Sequence, residues 1–123
     1  MFRRSLFVLM ILIAVFVVAC GGGASTGGGG GTPLNVTVNN TEWKFEPSVI
    51  NATAGQTINL TVLNSGTIRH TWVLPAQNIK LTIDVGQRTT RSFKAPAAAG
   101  TYEIVCDEAG HKESGMIGQL IVK

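Results

Sequence analysis

Short segments of alternating apolar and polar residues, separated by turn residues, fill the chain after residue 33 and restrict its possible folds. Residues 34–38 and 57–64 show this period of two, which is typical of a half-buried strand. Helical stripes do not exceed one or two turns. Further strand-like segments lie around residues 49–50, 70–74, 79–83, 88–93, 102–106 and 119–123. Seven or eight such strands predict an all-β Greek-key sandwich or barrel.

Four residues with metal-binding side chains stand out against this pattern. Cys106, His111 and Met116 follow one another at intervals of five, and His70 lies 36 residues before Cys106. Thiolate and imidazole donors favour copper, zinc or iron over magnesium or calcium. Because Greek-key crossings place strands that are distant in sequence side by side, His70 can meet the later three residues. The sequence therefore predicts a metal site.

The donor set favours copper among the possible metals. Two histidines, one cysteine and a weak axial methionine are typical of a mononuclear blue-copper electron-transfer site. The same donors could hold zinc, but structural zinc sites usually take a second thiolate or a third imidazole. A binuclear copper centre would need a second cysteine in the loop, which has only Cys106. Taken singly, each of the four residues is more often a core residue; together they predict one bound copper ion.

The first twenty residues predict export. Arg3 and Arg4 precede an apolar run over residues 6–19, and Cys20 is followed by glycines. The run is short for a permanent membrane anchor and is typical of a signal peptide over residues 1–19. The residues before Cys20 resemble a bacterial lipobox, although Val17 stands where leucine is usual. That resemblance implies cleavage before Cys20 and acylation of its sulfur; an uncleaved signal anchor and ordinary signal-peptidase processing are the alternatives.

The rest of the chain divides into a tether and one domain. Residues 20–33 are rich in glycine and predict a flexible tether behind the lipid, and residues 34–123 form the predicted folded domain. Removal of Arg3 and Arg4 leaves eight Lys and Arg against seven Asp and Glu. This near-balance predicts no nucleic-acid partner. With Cys20 acylated, Cys106 has no disulfide partner in an oxidising compartment, and a bound metal would protect its thiol.

Several motifs of the domain resemble those of the cupredoxins, the small blue copper proteins that include auracyanin, plastocyanin and azurin. The resemblance covers nearly all of residues 43–123. Its motifs are the F-x-P-x-x-I element at 45–50, the strand start at 54–58, the N-x-G element at 64–66 before His70, and the G-M-x-G-x-L-x-V ending at 115–122. The C-x4-H-x4-M spacing is most similar to that of auracyanins. One departure is Ala109, which stands where many relatives have proline.

The resemblance implies a role for each site residue. His70 and His111 are the expected equatorial ligands, Cys106 the thiolate ligand and Met116 the axial thioether. His111 is also the expected route for electrons to the surface, and Thr71 is expected to hydrogen-bond across to the ligand loop. We interpret Trp43 and Trp72 as core residues, and the charges at 107, 108, 112 and 113 as solvated loop charges.

These features predict a one-electron carrier and not an enzyme, because four protein ligands leave no open position for a substrate. The expected location is the cell envelope, with the lipid holding the domain on the outer face of the cytoplasmic membrane. The expected partners are redox proteins: a quinol-oxidising complex, and an oxidase or photosynthetic reaction centre. A monomer is expected. A copper-trafficking or storage lipoprotein and an open-site copper enzyme are the alternatives.

Overall fold

A computed structural model describes residues 31–123 of the chain. The predicted signal peptide over residues 1–19, the predicted acylation site Cys20 and most of the predicted tether lie outside the described residues. Within residues 31–123, no helix combines the length and the apolar character needed to cross a lipid bilayer.

The described part of the chain is built from strands, as its alternation predicts. Nine strands and one short 3₁₀ helix follow in chain order: β1 Leu34–Thr41, β2 Lys44–Glu46, β3 Val49–Ala52, β4 Thr57–Asn64, β5 His70–Leu74, the helix Pro75–Gln77, β6 Ile79–Ile83, β7 Arg88–Lys94, β8 Gly100–Val105 and β9 Ile117–Val122. The all-β prediction is confirmed. The sequence predicts seven or eight strands, and β2 is the additional one, since its three residues are too few to show a period of two.

The strands form two sheets. Four strands pair in the order β2-β1-β4-β7, and five pair in the order β3-β9-β8-β5-β6. The pairs β1–β4 and β3–β9 are parallel, and the other pairs are antiparallel. Strands that are distant in sequence are therefore neighbours within each sheet, as the Greek-key interpretation requires.

Apolar side chains from both sheets form a single core. On β4, the buried positions Ile58, Leu60 and Val62 alternate with more exposed ones, which is the pattern that identifies this strand in the sequence. Trp72 on β5 is almost completely buried, in agreement with its prediction as a core residue. Full burial of one such aliphatic or aromatic side chain stabilises a fold by about 1.5–3 kcal/mol.

The register between β5 and β8 brings the first histidine to the cysteine loop. Val73 pairs with Val105 in antiparallel orientation. Continuing this register places Thr71 opposite Asp107, just beyond the end of β8. His70 is the first residue of β5, and it consequently lies at the same end of the sheet as the loop from Cys106 to Met116 that joins β8 to β9.

The buried side chain of Asn64 fixes the connection that leads into His70. Its amide nitrogen donates to the carbonyl oxygens of Ile68 at 2.8 Å and Ile83 at 2.9 Å, and its amide oxygen accepts from the Gly66 N–H at 2.9 Å. These three bonds join the turn after β4 to the strand beside β5. The side chain therefore replaces the backbone pairing that this irregular segment lacks.

We predict that Asn64→Ala lowers the free energy of unfolding by about 2–3 kcal/mol, because it leaves buried carbonyl and N–H groups without partners. Urea titration of the metal-free protein measures the change. Asn59→Ala, on the exposed side of the same strand, is the matched control and is expected to change the free energy by about 0.5 kcal/mol or less. Equal losses in the two variants would contradict this role of Asn64.

Candidate metal centre

Three of the four predicted ligands lie together at one end of the sandwich. Their donor atoms are all within 4.8 Å of one another, and His70, Cys106 and His111 are all buried. The Nδ1 atom of His111 is 3.2 Å from the Nδ1 atom of His70 and 3.3 Å from the sulfur of Cys106. Donors that share one ion at bond lengths of about 2.0–2.3 Å are about 3–4 Å apart. Two of the three donor pairs have this spacing and the third is no longer than 4.8 Å, so the three side chains are close enough to share one ion after a small adjustment.

The loop from Cys106 to Met116, which we call the ligand loop, holds its three predicted donor residues close together through its backbone. The Met116 N–H donates to the His111 carbonyl at 3.0 Å, and the Cys106 N–H donates to the Met116 carbonyl at 3.2 Å. Gly110 and Gly115, with φ of 81° and 99°, provide left-handed turns on either side of the intervening segment. Glycine adopts this conformation without steric cost. Met116 is fully buried in the same loop.

Thr71 connects the β5 side of the site to the loop, as the resemblance implies. Its N–H donates to the sulfur of Cys106 at 3.3 Å, and its hydroxyl lies 3.5 Å from the same sulfur. The hydroxyl also donates to Asp107 Oδ1 at 2.8 Å and accepts from the Asp107 N–H at 2.9 Å. Thr71 thus ties β5 to the two residues that begin the loop, and its N–H points at the sulfur that would bind a metal as thiolate.

Two acidic residues of the loop remain partly exposed to solvent, and each also forms an ion pair. Asp107 accepts from Lys80 Nζ at 2.8 Å, and Glu108 accepts from Arg69 Nε at 2.8 Å and from a second guanidinium nitrogen at 3.2 Å. The Lys80 hydrogen bond, with that from Thr71, holds the pKa of Asp107 below its ordinary value. The Arg69 hydrogen bond likewise lowers the pKa of Glu108. These pairs join residues that are remote in sequence and show no local pattern, although Arg69 directly precedes the predicted ligand His70.

The electrostatic surroundings of His70 suit a metal ligand. Burial, with a smaller contribution from His111, lowers the pKa of His70 below its ordinary value of 6.5, so its ring is neutral at pH 7. A neutral imidazole is the form that coordinates a metal. Glu42 lies nearby, and a hydrogen bond from the Thr67 N–H lowers the pKa of this carboxyl below 4.5, so it is negatively charged at neutral pH. No pattern in the sequence around Glu42 indicates its position beside His70.

Trp43 lies beside the loop histidine and not in the core. Its ring centroid is 4.8 Å from that of His111 in an edge-to-face arrangement, and 41% of the residue is exposed. The prediction that Trp43 is a core residue is therefore wrong. The cause is the turn between β1 and β2, which places residue 43 at the end of the sandwich and outside both sheets. His111 itself is 7% exposed, with Trp43 against it.

The family model described as a cupredoxin-like domain matches residues 8–122. The chain belongs to the cupredoxin-like family. This cupredoxin is similar to the reduced auracyanin of Roseiflexus castenholzii, with a TM-score of 0.66 and 22% identity over 76% of this chain and 99% of that chain. The fold class predicted from the sequence is confirmed. Family membership and the buried histidine–cysteine–histidine cluster together support a single copper ion as the cofactor.

Two further similarities show how widely the fold is used. The copper-resistant cuproprotein CopI of Rubrivivax gelatinosus is 26% identical over 99 residues, which are 65% of this chain. The matched region covers 60% of the length of CopI. A copper-containing nitrite reductase from Thermus scotoductus is 18% identical with a TM-score of 0.64, covering 75% of this chain and 28% of that one. The fold therefore occurs in copper enzymes as well as in auracyanin.

The Arg69–Glu108 pair predicts a specific dependence of stability on pH. Because the pKa of Glu108 is lowered in the folded state, its charge stabilises the fold above the ordinary value of 4.5, and this stabilisation is lost as the pH falls further. We therefore expect metal-free Glu108→Gln to be less stable than the wild type at pH 7, with the difference disappearing towards pH 3. Urea titrations at several pH values measure it.

Glu113→Gln is the control for this experiment, because Glu113 is exposed in the same loop and makes no ion pair within residues 31–123. Its stability relative to the wild type should not change with pH. A difference between wild type and Glu108→Gln that stays constant from pH 7 to pH 3 would contradict the contribution of this pair.

Proposed function

We propose that this cupredoxin is a one-electron carrier with a mononuclear blue copper site held by His70, Cys106, His111 and Met116. The observation that carries the proposal is the buried cluster in which two imidazole nitrogens and one sulfur lie within 4.8 Å of one another. A copper ion bound there would supply one-electron redox chemistry between Cu(I) and Cu(II). The protein contributes a set of donors that its own backbone and side-chain hydrogen bonds hold close together.

The ligand residues have distinct proposed roles. Cys106 is the thiolate donor, and the hydrogen bond from the Thr71 N–H moderates the charge on its sulfur. Met116 is the proposed axial donor, because it is fully buried in the ligand loop and its backbone bonds to both Cys106 and His111. Four protein donors leave no position for a substrate, which favours electron transfer over substrate chemistry.

Electrons would enter and leave through the end of the domain that carries His111 and Trp43. Most of His111 is buried, whereas the adjoining Trp43 is 41% exposed and offers an aromatic surface to a partner. The proposed partners are a quinol-oxidising complex and an oxidase or reaction centre. We place this monomeric domain in the cell envelope, where acylated Cys20 and the glycine-rich tether would hold it at the outer face of the cytoplasmic membrane.

Copper trafficking is the second candidate function, and the similarity to the copper-resistant cuproprotein CopI favours it. A trafficking protein must release Cu(I) readily, whereas a carrier must keep its ion through many redox cycles. The burial of all three cluster residues favours slow release and hence the carrier. Transfer of Cu(I) to a chelator within seconds would support trafficking instead.

We predict that the copper-loaded protein is intensely blue, because a buried thiolate bound to Cu(II) absorbs strongly in the visible region. The visible spectrum of the full chain after addition of Cu(II) measures this. Cys106→Ser should lose the colour, whereas Met116→Leu should keep both copper and colour and show a higher reduction potential. A colourless wild-type protein would contradict the carrier, and an unchanged potential in Met116→Leu would contradict axial ligation.

A further inference from the structure

The carboxylate of Glu42 is held against the segment that leads into His70. Its Oε1 atom accepts hydrogen bonds from the Thr67 N–H and, at 3.1 Å, from the Thr67 hydroxyl. The backbone at Gly66 approaches so closely that a Cβ atom there would lie 2.6 Å from the same oxygen. The carboxylate is thus confined from one side by the chain, although the Glu42 side chain remains 32% exposed from the other.

The confined carboxylate faces the ring nitrogen of His70 that points away from the metal cluster. Nδ1 of His70 lies beside the other donors, whereas Nε2 is buried and has no hydrogen-bond partner within residues 31–123. The nearest carboxylate oxygen, Glu42 Oε1, is 3.9 Å away. When Nδ1 coordinates a metal, the proton of the neutral ring is on Nε2. A buried N–H without an acceptor is unfavourable, and Glu42 is the charged acceptor within reach.

We propose that Glu42 is a positioning residue for the metal centre, accepting the Nε2–H of His70 in the metal-loaded protein and stabilising Cu(II) relative to Cu(I). This inference rests on the proposed copper function. A carboxylate behind a ligating imidazole fixes its tautomer and orientation and makes its donor nitrogen more basic. The negative charge also interacts more favourably with the more positive oxidation state. Solvent at the exposed side of Glu42 screens part of this interaction, whereas the His70 side of the contact is buried.

A small movement is enough to complete the contact. The distance of 3.9 Å exceeds the usual N–H···O upper limit of about 3.2 Å by less than 1 Å. The His70 ring is enclosed by the core, whereas the Glu42 side chain has one exposed side and can move towards it. The movement need not break the bonds from Thr67, because a carboxylate oxygen accepts more than one hydrogen bond.

The reduction potential of Glu42→Gln distinguishes a role at His70 from a purely structural role at Thr67. If the side chain only anchored the segment at Thr67, Glu42→Gln would preserve that anchor, since the amide oxygen still accepts both bonds, and the reduction potential would not change. If Glu42 acts on His70, the loss of its charge must change the relative affinities for Cu(II) and Cu(I). Glu46→Gln is the matched control, because it removes the same charge from an exposed side chain paired with Lys44.

The test is spectroelectrochemical titration of the copper-loaded full chain. We expect Glu42→Gln to lower the affinity for Cu(II) relative to Cu(I) about tenfold, which raises the one-electron potential by about 59 mV. Glu46→Gln should stay close to the wild type. A potential in Glu42→Gln that matches that of Glu46→Gln would overturn the proposal, whereas absence of a blue copper form in the wild type would overturn the proposed function instead.

A second measurement tests the hydrogen bond independently of copper colour and of protein folding. In ¹⁵N-labelled protein loaded with Zn(II), the proposal predicts an observable, slowly exchanging Nε2–H signal from His70. Glu42→Ala should shift this proton to lower frequency and make it exchange faster, while the remaining amide signals show that the domain is folded. An Nε2–H signal unchanged in Glu42→Ala would refute the hydrogen bond.

Discussion

The antiparallel contact between β5 and the end of β8 determines whether this chain can form a metal site. The register at Val73 and Val105 places Thr71 opposite Asp107, and Thr71 then donates its N–H to Cys106 and its hydroxyl to Asp107. A shift of β5 by one residue would turn the His70 side chain to the opposite face of the sheet. The three predicted ligands within one loop can share an ion with His70 only because this register places His70 beside them.

Contacts within the fold hold the predicted metal-binding residues in place. Hydrogen bonds link the backbones of Cys106, His111 and Met116, and the loop charges at Asp107 and Glu108 are tied to residues of the neighbouring strand segments. Such restraints limit how far the ligands can rearrange when the charge of a bound ion changes. A carrier benefits from this rigidity, because a site that moves little between two oxidation states exchanges electrons with little reorganisation.

The sequence predicted what depends on local pattern, and it failed where the outcome depends on tertiary contacts. A period of two and the spacing of the loop donors are local, so the all-β fold and the cluster around His70 could be anticipated with the help of the cupredoxin motifs. The position of Trp43 depends on a turn that the pattern does not reveal. The pairing of Asp107 with Lys80, and the approach of Glu42 to a ligand, join elements that are remote in sequence and carry no periodic signal.

X-ray absorption at the copper edge counts the donor atoms around the ion in both oxidation states, and it can therefore decide whether the copper site is mononuclear and rigid. We expect one short copper–sulfur bond and two copper–nitrogen bonds from histidine in both the Cu(I) and the Cu(II) forms, with small changes in length between them. The mononuclear, rigid site would be contradicted if the sulfur or one nitrogen were lost on reduction. A second copper ion nearby, or additional oxygen ligands in the oxidised form, would contradict it as well.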